Sequence, residues 1–168
     1  MARERWPRAK TRSGKQSAPG RSAKTRLLGL GPYGMVPGMS LRISHTSFNA
    51  LNAYEQSVWW AELLGFHEDP DDPNLPGHEE NMIFSPDGSQ RLLFIDVPDA
   101  KQLRNRVHLD LQPTDRTRDE EVERVLALGA THVDDQRNPD GSGWVVLADP
   151  EGNEFCILRS EAERAAMA

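Results

Sequence analysis

The sequence predicts an α+β fold built from two paired β-α-β-β-β modules, at about residues 41–98 and 105–160. The first observation behind this is a duplicated set of landmarks. His45 precedes Asn52 by seven residues and His108 precedes Asp115 by seven; Leu64-Gly65 recurs as Leu128-Gly129. In each copy the Gly of a Pro-acid-Gly turn, Gly88 and Gly152, follows 23 residues later. The offsets are 63 (45 to 108), 64 (65 to 129) and 64 (88 to 152). The second observation is a change of period within each copy, from the alternation of a strand to the 3.6-residue spacing of a helix. The third is that short β-rich runs punctuated by Gly and Pro fill the remainder.

In the first copy residues 41–50 alternate, with Ser44, Thr46 and Phe48 on one face and His45, Ser47 and Asn49 on the other, which predicts a strand. Asn52 suits an N-cap, because its side-chain oxygen can accept an orphan backbone N–H. Ala53, Ser57, Trp60 and Leu64 form the buried stripe of the next helix, and Gly65 ends it. A weakly signalled strand is expected near 66–68, then a proline-rich surface loop over 69–77. Two β-runs, about 81–85 and 91–97, are joined by the Pro86-Asp87-Gly88 turn.

The second copy repeats the order. Residues 106–112 form a strand with Val107, Leu109 and Leu111 on one face and His108, Asp110 and Gln112 on the other. A helix over 118–128 buries Val122, Val125 and Leu126 and stops at Gly129. Strands come next at 131–135, 143–148 and 153–158. The domain is expected to occupy 39–160, with 161–168 a short, solvated helical tail.

A chain of 168 residues suits one compact domain or two small modules sharing a core. Its 37% hydrophobic and 27% charged residues read as a soluble globular protein, and no apolar run of about 18 residues could span a membrane. Cys156, the only cysteine, excludes an intrachain disulfide and suits a reducing compartment, so a cytoplasmic location is expected.

The net charge of −6 hides a division. Residues 1–40 carry nine Lys or Arg against Glu4, leaving 11 basic and 25 acidic residues for the rest. Nucleic acid is therefore not an expected partner of the body, since phosphate binding needs a basic face. Residues 1–38 have the composition of a disordered basic arm. They can also be read as a transit peptide, or as sequence upstream of a natural start at Met35 or Met39, the reading favoured because the repeat begins just after Met39. Gly29-Leu30-Gly31-Pro32-Tyr33-Gly34 matches G-x-G-x-x-G, but no strand precedes it and Pro32 opposes a helix, so no dinucleotide site is expected.

The paired units, with His45 seven residues before a helix cap, Trp59-Trp60, Leu64-Gly65 and the turn Asp149-Pro150-Glu151-Gly152-Asn153, resemble the vicinal oxygen chelate superfamily of glyoxalases, extradiol dioxygenases and bleomycin-resistance proteins. Asn105-Arg106-Val107-His108-Leu109-Asp110-Leu111 looks like the glyoxalase-like domain branch. The resemblance covers about 41–160. It implies that each module forms half of a half-open barrel and that the two halves enclose a cavity, within one chain or across a homodimer.

In the family's metal-dependent members the first and last strands of each module hold one divalent ion. By position the resemblance implies His45 and His108 as ligands. The last strand of the second module carries Cys156 where the family has Glu, so Glu154 on the same face and Asp96 in the first module complete the candidate set. Two imidazoles and two carboxylates suit Zn, Ni, Fe or Mn. Cys156, Asp110, Gln112, Trp60 and Trp144 are expected to line the cavity; no catalytic residue is assigned. Replacing a carboxylate by a thiol removes the base that glyoxalase-type proton abstraction needs. Three functions stay open: a metal-assisted lyase or isomerase acting on a small organic molecule, a metal-free protein that sequesters a drug or metabolite as bleomycin-resistance relatives do, and a non-enzymatic protein whose basic arm finds acidic partners. No nucleophilic triad or phosphate loop is present.

Overall fold

A computed structural model of the protein describes residues 41–166. The chain divides into two units, Met1–Ser44 and His45–Ala168, and the second holds every helix and strand named below. The basic arm, the G-x-G-x-x-G match and the candidate starts Met35 and Met39 lie outside the described residues. Among the described residues no helix is long and apolar enough to cross a membrane.

The fold is α+β with two open sheets. The first contains β1 (Thr46–Ala50), β2 (Glu80–Phe84) and β3 (Arg91–Asp96) in the order β1-β3-β2, with α1 (Ala53–Leu64) placed between β1 and β2 along the chain. The second contains β4 (Asp110–Leu111), β5 (Thr131–Asp135), β6 (Val145–Ala148) and β7 (Glu154–Ile157) in the order β4-β7-β6-β5, with α2 (Arg118–Ala127) after β4. A short α3 (Glu161–Ala165) comes last. In both sheets the first strand runs parallel to the last, Thr46 opposite Leu92 and Asp110 opposite Cys156, while the other pairs are antiparallel.

Local chemistry accounts for the helix limits. Asn52 accepts from the Glu55 N–H at 3.1 Å, and Gly65 ends α1 at φ +66, in the left-handed region that favours glycine. The cap of α2 is Thr117 rather than a residue in step with Asn52; it forms a capping box with Glu120. The buried positions of α1 are Ala53, Gln56, Ser57, Trp60 and Leu63, so Leu63 rather than Leu64 is fully covered. On α2 Val125 is buried, whereas Leu126, expected inside, is 38% exposed.

Three strands differ from expectation. β1 begins at Thr46, not at 41, because its partner β3 starts at Arg91 after the turn and offers nothing further upstream. The expected strand at 66–68 shrinks to one bridge, His67 to Phe84. Pro70 interrupts the chain there, and the Asn74 side chain takes over the sheet edge by pairing with both N–H and C=O of Met82 (3.0 and 2.9 Å). β4 has only two residues.

The core joins the two sheets through α1. Trp60, fully buried, packs against Phe48 (5.3 Å between centroids) on β1 and Phe155 (5.3 Å) on β7. Trp60 Nε1 donates to Asp149 Oδ2 at 3.0 Å, and Trp59 Nε1 donates to the Leu128 carbonyl at 2.8 Å. Glu151 accepts from the N–H groups of Leu51 and Asn52 (2.7 and 3.0 Å), so the turn before β7 seals the start of α1.

Candidate functional site

A cavity of about 670 Å³ is bounded by β1, by the segment between β3 and β4 and by the start of β7. Phe48, Trp60, Leu109 and Phe155 supply apolar wall, while Asn49, Asn105 and Asn153 supply amides. Lys101, Arg106 and His108 supply cationic or titratable nitrogen.

The joining segment is held in place by Glu154. This carboxylate, 8% exposed, meets Lys101 Nζ at 2.7 Å and accepts from the Asn105 N–H at 3.0 Å. Burial alone would raise the Glu154 pKa, but the Lys101 and Asn105 hydrogen bonds outweigh it and hold the carboxyl below the usual glutamate range. Glu154 is therefore engaged as a clasp on the cavity wall.

A second grouping adjoins the cavity at His108. Asp110 and Cys156 are register partners on neighbouring strands, and His108 lies two residues before Asp110. His108 Nδ1 is 3.0 Å from Asp110 Oδ1 and 3.6 Å from Cys156 Sγ. The possible ligand atoms of the three residues all lie within 4.8 Å of one another, the one such group among the described residues. Burial and the neighbouring Asp110 carboxylate push the Cys156 thiol up to about 12, so without a cation the sulfur stays protonated at neutral pH. Imidazole, carboxylate and thiol at these separations fit a divalent ion.

The other sequence-predicted residues fall in different places. His45 is exposed, just before β1, and is not part of the cavity wall. Asp96 ends β3, and its Oδ1 accepts from the Ala53 N–H at 2.5 Å at the start of α1. Trp60 lines the cavity; Cys156, Asp110, Gln112 and Trp144 do not. Gln112 donates to the Arg159 carbonyl at 3.0 Å. Trp144 precedes β6, and its buried Nε1 has no hydrogen-bond partner among the described residues. Sequence reasoning missed Lys101, Asn105 and Arg106. The available signal was three basic residues, Lys101, Arg104 and Arg106, within six positions of an otherwise acidic body.

The sequence profile of the glyoxalase-like domain family matches residues 45–158. The chain belongs to this family. With it comes membership of the vicinal oxygen chelate superfamily, and solved structures agree on the fold. A mutant of the fosfomycin resistance protein FosX of Listeria monocytogenes, complexed with Mn(II) and 1S,2S-dihydroxypropylphosphonic acid, superposes with TM-score 0.57 at 18% identity, covering 75% of this chain and 95% of that one. FosX of Mesorhizobium loti gives 0.52 at 18%, covering 76% and 99%. A glyoxalase/bleomycin resistance protein/dioxygenase family enzyme of Burkholderia phytofirmans gives 0.52 at 18%, covering 68% and 94%. At such identities the likeness of these proteins to the glyoxalase-like domain described here is one of fold. No curated protein sequence matches significantly.

Proposed function

We propose that this glyoxalase-like domain holds a small organic molecule between its two modules, each of which contributes half of a half-open barrel. The observation that carries the reading is the composition of the cavity wall. β1 of the first sheet and β7 of the second face the same space of about 670 Å³, a volume within the range of small-molecule sites. The half-buried Phe48 offers aromatic contact area, and the amides of Asn49, Asn105 and Asn153 offer orientation. A native mass spectrum of the protein purified from its source cells is expected to carry a one-to-one small-molecule adduct. Ser47→Trp, which fills the cavity from an exposed position of β1, is expected to lose it. An adduct unchanged in that variant would overturn the reading.

A second reading, a metal-assisted lyase or isomerase, is favoured by His108 belonging to both the cavity wall and the His108–Asp110–Cys156 group. FosX of Listeria monocytogenes, with its Mn(II), supports a divalent ion in this fold. A bound ion would supply Lewis-acid polarisation of a substrate oxygen. The residues' own part is to hold the ligand: the asparagine amides orient it, and the Lys101–Glu154 clasp keeps the wall in place. Substrate turnover that survives exhaustive chelation would remove this second reading and leave the first.

A further inference from the structure

We infer that His108, Asp110 and Cys156 form a divalent-metal site contained within the second module, with a sulfur donor that selects zinc over manganese. The inference rests on the metal-assisted reading, naming the ion its donors select, and does not depend on ligand binding in the cavity.

Topology brings the donors together before any metal is considered. His108 lies just before β4, and its Nδ1 meets Asp110 Oδ1 at 3.0 Å, so the two side chains converge on one spot. Parallel pairing of β4 with β7 sets Cys156 directly beside Asp110. Leu109, Leu111, Phe155 and Ile157 belong to the core, which leaves His108, Asp110 and Cys156 on the opposite face.

Distances favour coordination as well. Tetrahedral bonds of about 2.0 to 2.3 Å to nitrogen, oxygen and sulfur imply donor separations of roughly 3.3–3.7 Å. Nδ1 lies 3.0 Å from Asp110 Oδ1 and 3.6 Å from Cys156 Sγ, and all three donors lie within 4.8 Å of one another, so side-chain rotation can bring them to one ion. On binding, the sulfur–metal bond forms as the S–H bond breaks and its proton passes to water.

The donor set decides the metal. Manganese favours carboxylate, carbonyl and water oxygens, whereas thiolate with imidazole suits zinc. The carboxylates that could have made an oxygen-rich site across the modules are engaged: Asp96 at the start of α1 and Glu154 on Lys101 and Asn105. The competing account of the same geometry is a buried thiol beside an ordinary histidine–aspartate pair.

Cobalt(II) titration of the chelator-stripped full chain separates the two. The inference expects a thiolate-to-cobalt charge-transfer band that stoichiometric Zn(II) abolishes and excess Mn(II) leaves intact. Cys156→Ser is expected to lose the band and to weaken zinc binding by at least about 100-fold, more than the loss of an outer-shell partner costs. Should that variant fail to fold by circular dichroism, Asp110→Asn at an exposed carboxylate is expected to keep the band and weaken zinc by about 10-fold or more. Absence of the band in the parent, displacement of cobalt by manganese as readily as by zinc, or parent-like zinc affinity in a folded variant overturns the inference. The band needs no organic ligand, so its presence or absence is read independently of the cavity adduct.

Discussion

Trp60 of α1 and Asp149, just after β6, meet in the core, indole Nε1 donating to carboxylate Oδ2 at 3.0 Å. The same carboxylate accepts from the N–H groups of Glu151 and Asn153 at 3.0 and 2.8 Å and from Asn153 Nδ2 at 2.9 Å. One buried side chain thus shapes the turn before β7 and fastens it to α1.

Asp149→Ala is expected to destabilise the protein by about 3 kcal/mol, since each buried donor left without an acceptor costs about 1–3 kcal/mol. Urea unfolding measures it. A loss below about 1 kcal/mol would show that water replaces the carboxylate.

The strand and helix order was legible because the pattern that encodes it is local: alternation before Asn52, helical spacing through Trp60, glycine at Gly65. The late start of β4 was not. The Asn105 N–H goes to the Glu154 carboxylate rather than to a neighbouring strand, so the segment expected to open the strand becomes cavity wall. Such a choice depends on a partner 49 residues away, which no periodicity records. For the same reason Glu154 and Asp96 read as ligands in the sequence, whereas their neighbours in space are Lys101 and the Ala53 N–H. The alternation around His108 did place Asp110 on its face; that Cys156 lies beside them follows only from the parallel register.

The Cys156 thiol, raised from about 9 to about 12 by burial and by Asp110, links stability to alkaline pH. Below its unfolded value both states keep the proton and the thiol's contribution is whole. Above it the unfolded chain ionises first, so metal-free protein is expected to lose stability progressively between about pH 9 and 12. Alkylation by iodoacetamide at pH 8 is expected to be slow in the native state and rapid in denaturant. Fast native labelling would contradict the buried, protonated sulfur.

Glu154 acts at the opposite end of the pH scale. Its pKa is held below the usual glutamate value, so its contribution is present above the unfolded value near 4.5 and fades as pH falls through the lower folded value. Glu154→Gln is expected to shrink that acid-side loss and to speed tryptic cleavage at Arg104 and Arg106. Cleavage at the parent rate would mean the clasp does not restrain the segment.

Gly143 is a tight backbone site at φ +92, where an added Cβ would lie 2.0 Å from the Gln136 carbonyl oxygen. Gly143→Ala is expected to lower stability by about 1–3 kcal/mol from backbone strain alone, with the clash adding to it. Thermal unfolding of the variant at the parent melting temperature would show that the 136–143 loop rearranges freely.

Parallel pairing of first with last strands also sets the order in which the chain can assemble. β4 (Asp110–Leu111) gains its neighbour only when β7 (Glu154–Ile157) exists. During synthesis the second sheet therefore waits until β7 has left the ribosome, with Leu109 and Leu111 lacking their strand partner until then. A nascent chain stalled before residue 154 would expose that unfinished edge to other chains, and chaperones would have the most to protect at that moment.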